Sequence, residues 1–167
     1  EDLDGLKMRI LASPVYQDTF DLLGANATPL AFGELYSALQ QGTFDGMENP
    51  IGLIKDSNFY EVQDYITLSG QVYAPVVTVM NKDSYENMPE DLQQILMDWM
   101  LDVNDRQREI NQNEEAEVLE MLKEHMEVTE LSSEQIKAFK EAVQPIYDKY
   151  AEEIGADLVE KATSFGD

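Results

Sequence analysis

The chain has 167 residues, of which 43% are hydrophobic, so it is long enough and apolar enough to bury a core of its own. Its 11 Lys and Arg residues against 34 Asp and Glu residues give a formal net charge of −23, which argues strongly against binding to nucleic acid or to an anionic membrane. The absence of cysteine excludes disulfide scaffolds, thiolate zinc sites and thiol nucleophiles.

The first fifty residues alternate between short strands and short helices. Residues 6–11 predict a strand, and Ser13-Pro14 after it predicts a helix start. Residues 32–39 carry a second helical stripe, and residues 43–48 predict another strand. Asn49-Pro50 again has the composition of a helix start. This alternation predicts an α/β fold with a layered sheet.

The middle of the chain is rich in β-branched and aromatic residues. Residues 65–68 and 72–80 predict one long strand, or two strands with a joint at Gly70 or Pro75. Residues 76–80 are apolar on both faces, which is typical of a strand that is covered on both sides.

The second half of the chain is predicted to be helical. The stretch from Pro89 to Met126 has apolar residues at helical spacing at its two ends and an almost wholly polar middle. As one helix it would be about 55 Å long at 1.5 Å per residue, so we expect a bend or a helix that bridges two lobes. Residues 127–131 predict a short strand, and Ser132 with Gln135 resembles a capping box ahead of further helices.

Arg9 is the strongest candidate site residue. It is the only Arg in the first 105 positions, and it lies near the carboxyl end of the first predicted strand, where open α/β sheets bind ligands. A guanidinium group presents a planar fork that matches a carboxylate, so Arg9 predicts an anion site. The alternative is a structural salt bridge, for example with Asp4 or Glu34.

Two other candidate residues, Asn49 and Phe32, have more than one interpretation. The Asn49 amide is suited to a ligand carboxylate or hydroxyl, but Asn before Pro is also an ordinary helix cap. Phe32 is suited to wall the apolar part of a ligand, although such a residue is more often core. His125, the only histidine, is expected near a helix end, where the helix dipole favours it. No metalloprotease, hydrolase, P-loop or EF-hand motif is present, so we predict no catalytic residue, metal ligand or cofactor.

Several segments together resemble one protein family, the extracytoplasmic solute receptors of tripartite ATP-independent periplasmic (TRAP) transporters, of the DctP type. The resemblance covers most of the chain and implies an α/β, periplasmic-binding-protein-like lobe with a mixed sheet flanked by helices, plus a long lobe-spanning helix. The segments that carry it are Gly5-Leu6-Lys7-Met8-Arg9-Ile10, residues 23–36, Ala38-Leu39-Gln40-Gln41-Gly42, Asp45-Gly46-Met47-Glu48-Asn49-Pro50, residues 143–147 and Tyr150-Ala151-Glu152.

The resemblance also implies a function. Such a receptor closes around a small organic acid anion and delivers it to the membrane subunits of a TRAP permease; it is not an enzyme, needs no cofactor and is periplasmic. The carboxylate-binding Arg of the family matches Arg9, its ligand-contacting Asn matches Asn49, and an aromatic position near the ligand matches Phe32. Gln71 falls where the chain crosses toward the other lobe, at a position that helps to set ligand choice.

The chain departs from the family in one respect: members carry an N-terminal lobe before the segment with which this chain begins, and neither that lobe nor a signal peptide is present here. The resemblance therefore predicts residues 1–74 and 127–167 as the second ligand-binding lobe. Residues 75–126 would be the hinge, a returned piece of the first lobe and the long connecting helix. The apolar residues 76–80 would then lack their neighbours, which predicts self-association of the chain.

Two other classes of function stay open at this point, as does the identity of the organic acid. The chain could instead be a helical protein-interaction module without small-ligand binding, in which the helix of residues 92–126 is the docking face. A hydrolase that uses paired carboxylates is the third class, but nothing in the sequence nominates the carboxylate.

Overall fold

A computed structural model describes residues 2–165, which form two separate parallel sheets and, within that range, eight α-helices. Strands β1 (Lys7–Ile10), β2 (Asn26–Pro29) and β3 (Gly46–Met47) pair in the order β2-β1-β3, and β4 (Tyr65–Leu68) pairs with β5 (Glu127–Glu130). Every described strand pair is parallel, where a mixed sheet was expected. The helices are α1 (Pro14–Leu22), α2 (Phe32–Gln40), α3 (Ile51–Asp56), α4 (Lys82–Glu86), α5 (Glu90–His125), α6 (Ser133–Ala142), α7 (Gln144–Ile154) and α8 (Ala156–Thr163).

The chain divides into two compact units. One consists of residues 1–69 with residues 125–167 and holds both sheets; the other is residues 70–124 and holds α4 and nearly all of α5. Helix α5 is continuous over 36 residues, or about 54 Å at 1.5 Å per residue, so the predicted long helix is confirmed. The assignment of residues 1–74, 75–126 and 127–167 to lobes of a larger receptor stays a prediction.

The core of the first unit forms around the central strand β1. Because side chains alternate along a strand, Met8 and Ile10 share one face, where they belong to a buried cluster with Phe20 and two alanines. Helix α2 contributes buried Leu35 and Leu39. The alternation that buries Met8 and Ile10 directs Arg9, between them, to the opposite face of the strand.

Helix starts follow their sequence signals in two of three cases. Pro14 occupies the first position of α1, as predicted, although the Ser13 side chain forms no capping hydrogen bond. The capping box before α6 is confirmed, because the Ser132 hydroxyl accepts from the Gln135 backbone N–H and the Gln135 side chain accepts from the Ser132 backbone N–H. Asn49, however, does not cap α3: the N-cap position is Pro50, and that prediction was wrong.

The strand predicted for residues 72–80 is not formed. Residues 69–81 are extended or irregular and pair with no described strand. A strand exists only through hydrogen bonds to a neighbour, and high β propensity does not supply that neighbour. The side chains of this segment are accordingly exposed to solvent; Tyr73 is 92% exposed and Val76 is 95% exposed. Self-association through this segment stays a prediction.

Helix α5 also carries exposed apolar side chains, including Ile95, Trp99 and Leu101. Its use as a docking face for a protein partner stays a prediction. No helix in the described range is long and apolar enough to cross a membrane.

A polar contact joins helix α7, near the C-terminal end, to helix α1. Asp18 on α1 accepts hydrogen bonds from the Lys149 ammonium group and the Tyr150 hydroxyl on α7. These two hydrogen bonds, that from Lys149 foremost, lower the pKa of Asp18 below its usual value. The contact therefore stabilises the fold only while Asp18 is ionised.

Leu35→Ala should lower the free energy of unfolding by about 2–5 kcal/mol, because the side chain is 0% exposed and its removal leaves a cavity. Leu53→Ala is the matched control: Leu53 is 41% exposed, and its loss should cost no more than about 1 kcal/mol. Urea denaturation followed by circular dichroism measures both. Equal losses for the two variants would contradict this description of the core.

Asp18→Asn should destabilise the protein at neutral pH, and the difference from wild type should shrink as the pH falls. Because the folded-state pKa of Asp18 is lowered, its contribution is complete above the unfolded pKa of about 4 and is lost as pH falls through the folded value. Thermal unfolding between about pH 7 and pH 2.5 tests this sign. Asp148→Asn on α7 makes the same charge change at an exposed site and should show no such convergence.

Candidate functional site

Three parallel strands end at one edge of the first sheet, and Arg9 and Asn49 lie at or directly after those strand ends. In the ladder, Arg9 on β1 lies opposite Thr28 on β2 and Met47 on β3. Leu30 follows the end of β2, while Glu48 and Asn49 follow the end of β3. The carboxyl edge of a parallel sheet is where ligands bind in open α/β folds.

Arg9 is buried, with 2% of its surface exposed. Its Nε and Nη2 atoms donate to the Leu30 carbonyl oxygen at 3.0 and 2.9 Å. Its Nη1 atom is buried and has no hydrogen-bond partner among the described residues. Burying a charged donor without a partner is unfavourable, so this end of the guanidinium group is suited to donate a hydrogen bond to a ligand oxygen.

The structural salt bridge considered for Arg9 is not formed. Arg9 forms no ion pair with Asp4, Glu34 or any other carboxylate in the described part of the chain. The charge that acts on it most is that of Glu48. Burial lowers the pKa of Arg9 and Glu48 raises it in part, while burial raises the pKa of Glu48 and Arg9 lowers it in part.

Glu48 and Tyr16 belong to this edge as well, and sequence reasoning assigned a role to neither. Burial raises the pKa of the Tyr16 hydroxyl, and the charge of Glu48 adds to that rise. Tyr16 was interpreted only as one of the apolar residues along α1. The position of Glu48, directly after a strand and before Asn49, was the one local signal that could have identified it.

Asn49 is half-buried, and its amide nitrogen donates to a weak acceptor. Its Nδ2 atom donates to the Met47 sulfur at 3.0 Å, and a thioether is a weak acceptor. Because Asn49 does not cap α3, its side chain is free for a stronger acceptor such as a carboxylate or hydroxyl oxygen.

Phe32 begins α2 and is held by other aromatic rings. It packs edge-to-face on Phe59 with a centroid separation of 5.8 Å, and Tyr36 stacks on the same ring at 6.5 Å. The Tyr36 hydroxyl donates to Glu61 at 2.8 Å. Phe59 is 1% exposed whereas Phe32 is 43% exposed, so Phe32 presents a fixed apolar surface that is partly open.

The structure places Arg9, Asn49 and Phe32 in the unit that holds the sheets, whereas Gln71 lies in the other unit. Gln71 is exposed, and its part in ligand choice stays a prediction. His125 is the last residue of α5, as expected, and its ring lies 5.0 Å from that of Tyr60. Across residues 2–165, no group of three or more His, Asp or Glu side chains is placed to hold a metal ion.

Comparison with known proteins gives one consistent family. The model of the bacterial extracellular solute-binding proteins, family 7, named DctP, matches residues 1–153. The C4-dicarboxylate-binding periplasmic protein DctP of Rhodobacter capsulatus is 34% identical over 161 residues, which are 95% of this chain and 48% of that protein.

Solved structures of two similar proteins share the fold. A TRAP periplasmic solute-binding protein from Sulfurospirillum deleyianum with bound succinate has a TM-score of 0.91 and 32% identity, over 98% of this chain and 55% of that one. The sugar acid binding protein DctPAm from Advenella mimigardefordensis, in complex with galactonate, has a TM-score of 0.90 and 37% identity, over 96% and 52%. The chain thus spans about half the length of these proteins.

Arg9→Met should raise the pKa of Glu48, because the variant removes the positive charge that lowers that pKa and keeps a side chain of similar length. A pH titration of the Glu48 carboxyl carbon by 13C NMR measures the change. Arg106→Met is the matched control, since Arg106 is exposed on α5 and pairs with Asp102. An unchanged Glu48 midpoint in folded Arg9→Met would show that the two charges do not interact.

Proposed function

The chain belongs to the DctP family of bacterial extracellular solute-binding proteins, and from this membership we propose that it forms part of a periplasmic receptor for an organic acid. The observation that carries the proposal is the buried Arg9 guanidinium, whose Nη1 atom lacks a partner at the carboxyl edge of a parallel sheet. The relatives named above are solute-binding proteins rather than enzymes, and those with a ligand in their names bind carboxylates.

In this proposal, Arg9 binds the ligand carboxylate end-on. The side of the guanidinium group formed by Nε and Nη2 is engaged by the Leu30 carbonyl oxygen. Nη1 and the second proton of Nη2 remain, and these two parallel donors match the two oxygens of a carboxylate. Because the Leu30 carbonyl occupies one edge of the guanidinium group, the ligand carboxylate binds at the edge formed by Nη1 and Nη2.

The other candidate residues complete the site. Asn49 exchanges its weak contact with the Met47 sulfur for a ligand oxygen, and Phe32 shapes the apolar side of the ligand. A part for Gln71 in ligand choice stays a prediction from the family resemblance. The filled receptor then delivers the acid to the membrane subunits of a TRAP permease.

Titration of the chain with succinate and with galactonate, followed by 15N NMR, tests the proposal. We expect at least one acid to bind and to shift the Arg9 Nε–H resonance. Arg9→Gln should weaken binding at least about 100-fold, because a buried charge-assisted pair contributes a few kcal/mol and each 1.4 kcal/mol is a factor of ten. Arg106→Gln makes the same change on an exposed stretch of α5 and should leave affinity unchanged.

Two results would contradict the proposal. One is binding that persists at full strength in Arg9→Gln. The other is the absence of binding both to this chain and to the chain joined to the N-terminal half of the Sulfurospirillum protein.

A further inference from the structure

We infer that Asp45 is a positioning residue of the site: it holds the short strand β3 in register beside β1 and thereby places the Asn49 amide at the carboxyl edge of the sheet. This inference rests on the proposed function, since it takes Asn49 as a ligand-contacting residue. Asp45 itself does not contact the ligand, because it lies at the opposite, amino end of β3.

Strand β3 is the shortest of the three strands in its sheet. Its two residues, Gly46 and Met47, lie opposite Met8 and Arg9, whereas β2 pairs with all four residues of β1. Two ladder pairs offer few hydrogen bonds to hold a register, and a slip by one residue turns each side chain of a strand to the other face. The register of β3 therefore depends on contacts outside the ladder.

Asp45 supplies such contacts directly before the first ladder pair. Its backbone N–H donates to the Lys7 carbonyl oxygen at 2.8 Å, and its Oδ2 atom accepts from the Lys7 backbone N–H at 2.9 Å. Its Oδ1 atom lies 3.3 Å from the Lys7 ammonium nitrogen, which also donates to the Gly42 carbonyl oxygen at 2.9 Å. Asp45 thus binds both backbone groups of Lys7, at the amino end of β1.

The hydrogen bond from the Lys7 backbone is the contact that fixes the strand. The Lys7 and Asp45 side chains are 49% and 37% exposed, and an ion pair with that exposure contributes little. The backbone N–H, in contrast, belongs to β1 itself and does not move with a flexible side chain. This hydrogen bond is also the main cause that lowers the pKa of Asp45, so the acceptor at neutral pH is a carboxylate.

The position of Asn49 follows from that of β3. Residues 48–50, between β3 and α3, have no regular secondary structure. In the described structure, the Asn49 side chain forms a hydrogen bond only with the Met47 sulfur, which is a weak acceptor and lies on β3 as well. A change in the register of β3 would therefore carry the Asn49 amide away from its place at the sheet edge.

Amide hydrogen exchange of the ligand-free chain, followed by NMR, tests whether Asp45 holds β3. Asp45→Ala should accelerate exchange in residues 46–49 at least about fivefold and leave residues 26–28 of β2 unchanged, because only β3 opens locally. A general loss of stability would accelerate exchange in both strands. Asp148→Ala makes the same change at an exposed position of α7 and should alter neither strand.

A double-mutant cycle tests whether Asp45 acts through Asn49, with succinate and galactonate as the probes. Asp45→Ala should weaken binding at least about fivefold in the wild-type chain, but less than about twofold when Asn49 is already alanine. A role in stability alone would give the same loss in both backgrounds. Asp45→Asn keeps an oxygen that accepts from the Lys7 backbone N–H, so it should retain most of the affinity.

Thermal unfolding checks that each variant is folded. If Asp45→Ala is not, Asp45→Glu takes its place in both experiments: it keeps the charge, but its extra methylene group moves the carboxylate away from the Lys7 N–H, and the same changes are expected.

The outcomes distinguish this inference from the proposed function. Unchanged exchange in residues 46–49 of Asp45→Ala overturns the inference and leaves the proposed function standing. An equal loss of affinity with and without the Asn49 side chain does the same. The absence of Arg9-dependent binding of either acid, both to this chain and to the chain joined to the N-terminal half of the Sulfurospirillum protein, overturns both.

Discussion

The burial of one guanidinium group constrains the architecture of the first unit. A buried charge is tolerated only where hydrogen bonds and an opposite charge replace water. Arg9 donates hydrogen bonds to the Leu30 carbonyl oxygen and lies in the electrostatic field of Glu48. Leu30 and Glu48 follow the two strands that flank β1. Parallel pairing brings these groups to one edge, so the order β2-β1-β3 is what makes this burial tolerable. The Nη1 atom still lacks a hydrogen-bond partner in the described structure, and that deficit is the chemical basis of the proposed anion binding.

The negative charge of the chain explains why the binding of an anion would need a positive group within the site itself. With a formal net charge of −23, the protein repels anions at long range. Its overall electrostatic field therefore does not attract an organic acid to the sheet. A single buried guanidinium group acts at short range, where the surrounding protein screens less than water does. The rings of Phe32 and Tyr36, which pack on Phe59, add apolar surface to this unit without adding charge.

Local signals in the sequence were sufficient for most helices and for β1, β3 and β4, because hydrophobic period, proline and glycine act within a few residues, but they did not identify β2. They failed where the outcome depends on distant partners. Residues 72–80 have strand composition but no described neighbour, and so form no strand. Asn49 looked like a helix cap, but the helix begins one residue later with Pro50 at its N-cap position. Arg9 could be nominated because it is isolated in sequence, whereas the effect of the Glu48 charge on Arg9 and on Tyr16 arises only in the folded chain.

The incomplete satisfaction of Arg9 also determines how a ligand would gain affinity. Removing a guanidinium group from water is ordinarily a cost of binding, but here folding has already removed it. Two contacts to Leu30 fix its orientation, so little side-chain freedom is left for a ligand to restrict. A carboxylate that reaches Nη1 therefore restores a missing hydrogen bond in a preorganised site. Lysine in the same place would present one mobile ammonium group, unable to bind Leu30 and a carboxylate with the same planar geometry. The geometry of the sheet edge thus suits an arginine better than a lysine at position 9.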